Sequence, residues 1–129
     1  MKKSPPIKAA ILTQVKKPLV IKNVYSNKLK KGQVLVKIFF SGICRSQLME
    51  CNGQRGKDKW LPHLLGHEAS GEIVNIGKGV SKFKIKDRVI LTWIKCDGIN
   101  ASPAKYQYRD KVINAGKVTT FSNYSVVSE

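Results

Sequence analysis

Leu65-Gly-His-Glu-Ala-Ser-Gly-Glu-Ile-Val-Asn-Ile-Gly77, continued through Lys78-Gly-Val80 to Lys82-Phe-Lys-Ile-Lys-Asp-Arg-Val-Ile-Leu91, is the stretch whose reading decides the fold. Its first half runs from a glycine-bracketed His-Glu pair into a segment rich in β-formers, and Gly77-Lys-Gly79 marks the connection to a second arm. In that arm Phe83 and Ile85 alternate with Lys82, Lys84 and Lys86, the period of two that sends apolar side chains to a core and cations to water. The pattern predicts two antiparallel strands between Ser70 and Trp93. Working outward, residues 7–13, 19–24 and 34–40 carry the same Val, Ile and Phe enrichment, and residues 119–127 close the chain with a further strand. A helix of about two turns fits residues 44–51, which end before the terminating pair Asn52-Gly53. Apolar periodicity disappears over residues 97–116, where Asn, Asp, Gly, Ser and Pro accumulate, so this segment is expected to be a surface excursion. The fold class is mostly β (α+β), in a single domain.

The chain has 129 residues, 42% of them hydrophobic, which suits one folded domain that needs no disulfide framework. Charge is the anomaly: 24 Lys and Arg stand against 8 Asp and Glu, a formal net charge of +16. Only Arg45, Arg55, Arg88 and Arg109 are arginines. Base-edge readout and bidentate phosphate gripping favour the guanidinium fork, so a lysine surplus argues weakly for sequence-specific nucleic-acid binding. Pro5, Pro6 and Lys8 interrupt any apolar run near the start, and no stretch approaches the length of a membrane span. Cys44, Cys51 and Cys96 form no C-x-x-C pair, so free thiols or a lone metal ligand are expected, in a cytoplasmic protein.

Two stretches carry chemistry: Ser41-Gly-Ile-Cys-Arg-Ser-Gln47 and the Leu65-Gly-His-Glu68 turn. Thiolate and imidazole are the donors zinc prefers at neutral pH, and flanking glycines let the backbone turn both into one cleft. A cysteine at a strand end also serves as a small buried hydrophobe, and a His-Glu pair as a surface hydrogen bond. A separation of 23 residues between Cys44 and His67 is no local chelate, so spacing leaves both readings open. Trp60, His63 and Trp93 lie close to these blocks and are read as packing residues in preference to cleft walls. Cys51 is read as buried, and Tyr106 and Tyr108 have no assignable role.

Ser41-Gly-Ile-Cys-Arg-Ser46, the Leu65 to Gly77 block, the Asp-x-Val within residues 80–90, and Thr119-Thr-Phe-Ser-Asn-Tyr-Ser-Val-Val127 occur in order at suitable spacings. Together they resemble the N-terminal, GroES-like catalytic domain of zinc-dependent alcohol dehydrogenases, the medium-chain dehydrogenase/reductase family. The resemblance implies a partly open β-barrel with short helices over residues 1–129. It implies that Cys44 and His67 are ligands of one catalytic Zn2+, with Glu68 beside the metal as a transient ligand or supporting carboxylate. Ser46 matches the hydroxyl that relays the alcohol proton, and Arg45 a cation facing the cofactor's pyrophosphate. Gly66 and Gly71 would provide close backbone packing around His67.

Three departures from the family pattern matter. Gln47 stands where an acid commonly supports the site. The region of Cys96 lacks the four clustered cysteines that bind structural zinc in many relatives, so no structural zinc is expected. The third catalytic zinc ligand (Cys or Asp) and the Rossmann domain fall beyond residue 129 in the family pattern, and no G-x-G-x-x-G occurs. The expectation is therefore the catalytic-domain portion of a zinc-dependent alcohol or polyol dehydrogenase, inactive as an isolated chain. NAD(P) would bind only together with the Rossmann domain. Partners would be a small alcohol, aldehyde or polyol and that domain of the same protein, with homo-oligomers compatible at full length, and neither membrane nor specific nucleic acid. One alternative is a zinc-independent quinone-reductase-like domain, disfavoured because such relatives usually lack both Cys44 and His67 equivalents. Another is a basic nucleic-acid or anionic-surface binding module, disfavoured because Phe39, Phe40, Trp60 and Trp93 do not interleave with the cations as a stacking platform would.

Overall fold

The computed structural model describes residues 4–129, and these build nine strands and one helix. In chain order the elements are β1 (Ile7–Leu12), β2 (Val20–Ser26), β3 (Gln33–Ser41), α1 (Arg45–Cys51), β4 (His63–Leu64), β5 (Ala69–Ile76), β6 (Arg88–Leu91), β7 (Tyr106–Tyr108), β8 (Lys111–Ile113) and β9 (Tyr124–Ser128). A five-stranded sheet runs β4-β1-β2-β7-β8 and a four-stranded one β6-β5-β3-β9, with all strand pairs antiparallel. The bridge Ala9↔Ser122 and the bonds from Ala10 N–H to Phe121 O (2.9 Å) and Asn123 N–H to Lys8 O (3.0 Å) stitch the sheets together, so the barrel is nearly closed. No helix among the described residues is long and apolar enough to cross a membrane.

The inward positions fill two apolar clusters. Ile7, Ile11, Val24, Leu35 and Tyr106 form one, and Val34, Val36, Ile73 and Leu91 the other. Successive residues Val34, Leu35 and Val36 belong to alternate clusters, as the pleat requires of a central strand buried on both faces. The expected pairing of the two arms is present, since β5 meets β6 from Ala69↔Leu91 to Glu72↔Arg88.

Several sequence expectations need correction. Residues 82–87 are not strand: the Lys84 N–H donates to Asp87 Oδ2 (2.9 Å) and the Asp87 N–H to Lys84 O (3.1 Å), closing a turn in which Lys86 has φ +78. A short acidic side chain that caps its own backbone competes with the sheet ladder, and here it wins. Phe83 still packs on the core, but Ile85 is 50% exposed. The supposed excursion at 97–116 contains the β7–β8 hairpin, and Tyr106 is fully buried with its hydroxyl accepting the Val126 N–H at 3.0 Å. Tyr106 is thus a core residue that turn-rich neighbours concealed. The last strand starts at Tyr124, because residues 119–122 bend to cover the turn before His67. One helix is present among the described residues where several short ones were expected.

The charge surplus is a solvated surface. Lys82, Lys84 and Lys86 are all exposed, and among the described residues Lys and Arg pair with acids only at Arg55–Glu50 (3.5 Å) and Lys82–Asp97 (3.9 Å). Glu129 does different work. Its carboxylate accepts the N–H groups of Ser81 (2.9 Å), Lys82 (3.0 Å) and Ile99 (3.1 Å), tying two loops to the end of β9.

Two measurements test this packing. A methyl group at Gly71 would collide with the Lys37 carbonyl oxygen and lie 2.6 Å from Val36 Cγ1. Gly71→Ala is expected to destabilise the fold by about 1–3 kcal/mol, read as a lower urea midpoint at unchanged m-value. The Lys82 N–H, working against burial and helped by Ser81 and Ile99, holds the Glu129 carboxyl below its ordinary pKa. A depressed folded-state pKa adds stability above the unfolded value, lost as pH falls through the folded one. Glu129→Gln is expected to lower stability at neutral pH and flatten this acid limb in urea melts taken from pH 6 to pH 2; an unchanged limb would rule the cradle out.

Candidate functional site

The strand register brings the two chemical stretches together. Ser41, the last residue of β3, pairs with Ala69, the first of β5, and the Gly42 N–H then donates to Glu68 O at 2.9 Å. Residues following one strand and preceding the other are therefore neighbours despite the intervening chain. Leu65 O accepts the N–H groups of Thr120 (2.9 Å) and Phe121 (3.0 Å), and Gly66 turns at φ +90 directly against Thr120 and Phe121. A side chain at Gly66 would meet both strain and a wall, so glycine is what lets the backbone present His67. Gly42 does the same for Glu68, whose carboxyl lies where a Cβ would sit, with Oε1 2.6 Å away.

Cys44 is the N-cap of α1, in extended conformation at φ −103 and ψ 155. Its Sγ accepts from the Ser46 N–H (3.4 Å) and the Ser46 hydroxyl (3.3 Å), and its own N–H donates to Gln47 Oε1 at 2.9 Å. This reciprocal arrangement is a capping box in which sulfur replaces the usual hydroxyl. Gln47, only 3% exposed, then reaches with Nε2 to Ser46 Oγ (3.1 Å) and His67 Nδ1 (2.7 Å). One amide thus touches the backbone of Cys44, the hydroxyl of Ser46 and the ring of His67. Sequence reading noted Gln47 only as a departure; the Cys44-x-x-Gln47 spacing, that of a capping box, is the signal that would have shown its side chain folding back.

The Ser46 hydroxyl and N–H hold the Cys44 thiol below its ordinary pKa, against the contrary effects of burial and the Glu68 charge. Burial, with the nearby Glu50 charge, pushes the Cys51 thiol up. Cys51 is half-buried on α1, and Cys96 is exposed. Arg45 and Glu68 are exposed, Arg45 beginning the helix and Glu68 leading into β5. Among the described residues no three His, Cys, Asp or Glu side chains form a ligand cluster, but a depressed thiol and an imidazole, linked through a Gln47 amide that bonds the Cys44 N–H and the His67 ring, are donor types that suit zinc.

A cavity of about 870 Å³ opens beside His67 and Gln47, walled by Trp60, His63, Trp93 and Thr119. The packing assignment for the tryptophans is overturned: Trp60 is 69% exposed and Trp93 57%, and Trp93 stands edge-on to His67 with ring centroids 6.4 Å apart. His63 is the buried one of the three. Its Nε2 lies 2.7 Å from Asp58 Oδ2 and its Nδ1 2.9 Å from Leu64 O. Burial alone would raise the Asp58 pKa, but hydrogen bonds from His63 and the Trp60 N–H, with the His63 charge, bring it below the ordinary value. Nothing in the local sequence marks Asp58 and His63 as a pair, because a loop brings them together.

The thiol environments are directly testable. Alkylation by iodoacetamide near neutral pH is expected to label Cys44 well before Cys51, because the thiolate is the nucleophile. Ser46→Ala should move the Cys44 pH–rate midpoint upward, and equal rates at Cys44 and Cys51 by peptide mass spectrometry would contradict the assigned hydrogen bonds.

Comparison with known proteins agrees with the fold. Residues 30–129 match the family described as the alcohol dehydrogenase GroES-like domain. An alcohol dehydrogenase of Geobacillus stearothermophilus is 41% identical over 88 residues, which are 68% of this chain and 26% of that protein. The class-3 alcohol dehydrogenase of Dictyostelium discoideum is 29% identical, covering 95% of this chain and 38% of its own length. The chain thus spans between a quarter and two-fifths of these relatives. A crystal structure of an alcohol dehydrogenase zinc-binding domain protein from Burkholderia ambifaria shares the fold, with a TM-score of 0.84 at 18% identity over 97% of this chain and 40% of that one. With the family match covering most of its length, the chain belongs to the alcohol dehydrogenase GroES-like domain family of the medium-chain dehydrogenases and reductases.

Proposed function

We propose that this chain is the catalytic, metal-binding portion of an oxidoreductase that passes hydride between an alcohol, aldehyde or polyol and NAD(P), the cofactor being held by a Rossmann domain of the same protein. The observation that carries the reading is the corner where Cys44, its thiol bonded by the Ser46 hydroxyl, and His67 are gathered beside a cavity large enough for a small substrate. Cys44 and His67 would hold one zinc ion, with Glu68 available as a further oxygen donor. Bound zinc supplies a Lewis acid that makes an alcohol proton easier to remove.

The chain's own groups account for the rest. Ser46 Oγ sits between Cys44 Sγ and Gln47 Nε2, so its hydroxyl can hand a proton on while one hydrogen-bond partner orients it. Trp60 and Trp93 wall the cavity and offer apolar surface to a substrate's carbon skeleton. Arg45, exposed at the start of α1, offers a fixed cation to a cofactor pyrophosphate.

The test uses the chain extended through a dinucleotide-binding domain. Alcohol-dependent NAD(P) reduction is expected, and Cys44→Ala and His67→Ala should each lower zinc content measured by mass spectrometry. A folded, zinc-loaded protein that transfers no hydride with any alcohol, polyol or aldehyde would sink the activity, and unchanged metal content in both variants would sink the ligand assignment.

A further inference from the structure

We infer that Gln47 is a positioning residue that selects which tautomer the neutral His67 ring adopts, placing its proton on Nε2 and thereby opposing metal capture by that nitrogen. The argument begins with the Cys44 N–H, a backbone group that can only donate. The Gln47 atom 2.9 Å from it must be the acceptor, which fixes that atom as Oε1 and leaves the amide NH2 on the other side. Of the two Nε2 hydrogens, one points at Ser46 Oγ (3.1 Å) and the other at His67 Nδ1 (2.7 Å). Ser46 Oγ is free to accept because its own hydrogen is directed to Cys44 Sγ (3.3 Å).

Every donor and acceptor in this chain of contacts therefore has one direction. A ring nitrogen facing an amide N–H at 2.7 Å must present its lone pair, so the neutral imidazole carries its hydrogen on Nε2. In that state neither nitrogen offers a free lone pair. Coordination through Nε2 requires the proton to move to Nδ1 and the Gln47 amide to turn over. That would set its NH2 against the Cys44 N–H and break the capping box that starts α1. Gln47 is 3% exposed, so water does not readily replace the lost partner. A carboxylate at position 47 has no such conflict, since it accepts from the Cys44 N–H and from a His67 Nδ1–H at once.

For its metal half the inference rests on the zinc reading proposed above; the tautomer half does not, and one experiment separates them. Long-range 1H–15N correlation spectra of the histidine-labelled 129-residue chain at pH 8 read the His67 tautomer without metal, and competition with a chromophoric chelator reads zinc affinity. The wild-type chain is expected to show the Nε2–H tautomer. Gln47→Glu, which retains the cap, should show Nδ1–H and bind zinc about 10- to 100-fold more tightly, the range seen when partners of metal-ligating side chains are altered. Gln47→Leu, if it folds, should show neither tautomer strongly preferred. A merely structural Gln47 would leave the ring unchanged in Gln47→Glu, and that result, or an Nδ1–H ring in the wild type, overturns the inference. A reversed tautomer with unchanged zinc affinity overturns its metal half. A reversed tautomer with no zinc bound by either protein upholds the control of the ring by Gln47 and sinks the zinc reading.

Discussion

The antiparallel pairing of β3 with β5 is the constraint on which the site depends. Ser41↔Ala69 places the end of one strand beside the start of the other, and the Gly42 to Glu68 hydrogen bond carries that contact one residue further. Everything chemical hangs from this corner. A one-residue slip of β5 against β3 would turn Ile73 out of its cluster and part the Cys44 turn from the His67 turn. The core and the site are therefore specified by the same pairing, and the many apolar positions that hold the register also hold the donors in place. Gly71, which lets the strands approach, and Gly66, which turns at positive φ against Thr120, are where the corner admits no side chain.

Around this corner the polar groups form a directed set of hydrogen bonds. Backbone N–H groups set the polarity: the Cys44 N–H orients the Gln47 amide, which orients Ser46 and His67 in turn. The Ser46 hydroxyl ends the sequence on the Cys44 sulfur and keeps its thiol acidic. Gln47, the buried member, has no ready replacement partner, so the set resists change at that position. Asp58 and His63 form a second, separate polar pair lining the cavity, where they brace the loop that carries Trp60.

Much of this was legible in the sequence, for identifiable reasons. Ile7, Ile11, Val34 and Val36 announced strands because branched apolar residues cluster where a sheet is buried, and the helix after Gly42 followed from good formers ending at Asn52-Gly53. Residues 82–87 misled because Lys and apolar residues alternate there, although Asp87 closes a turn on Lys84. The β7–β8 hairpin was hidden because each of its strands has three residues, too few to show a period, and Tyr106 gains its burial from β9 contacts distant in sequence. Trp60 and Trp93 were misassigned because large aromatic residues suit a packed core and a cavity wall equally well.

Local chemistry sets what this chain contains: Cys44, Ser46, His67 and Glu68 on two glycine-flanked turns, a lysine-rich surface, and the alternation that makes a β domain. Those properties are written in adjacent residues, and the four ordered sequence blocks suffice to identify the family. Tertiary structure decided the relations among them. Whether Cys44 and His67 meet depends on strand register across residues far apart in the chain, and which nitrogen of His67 faces which atom of Gln47 depends on a backbone N–H that can only donate. Sequence lists the donors and acceptors, and only the folded chain gives each hydrogen bond its direction.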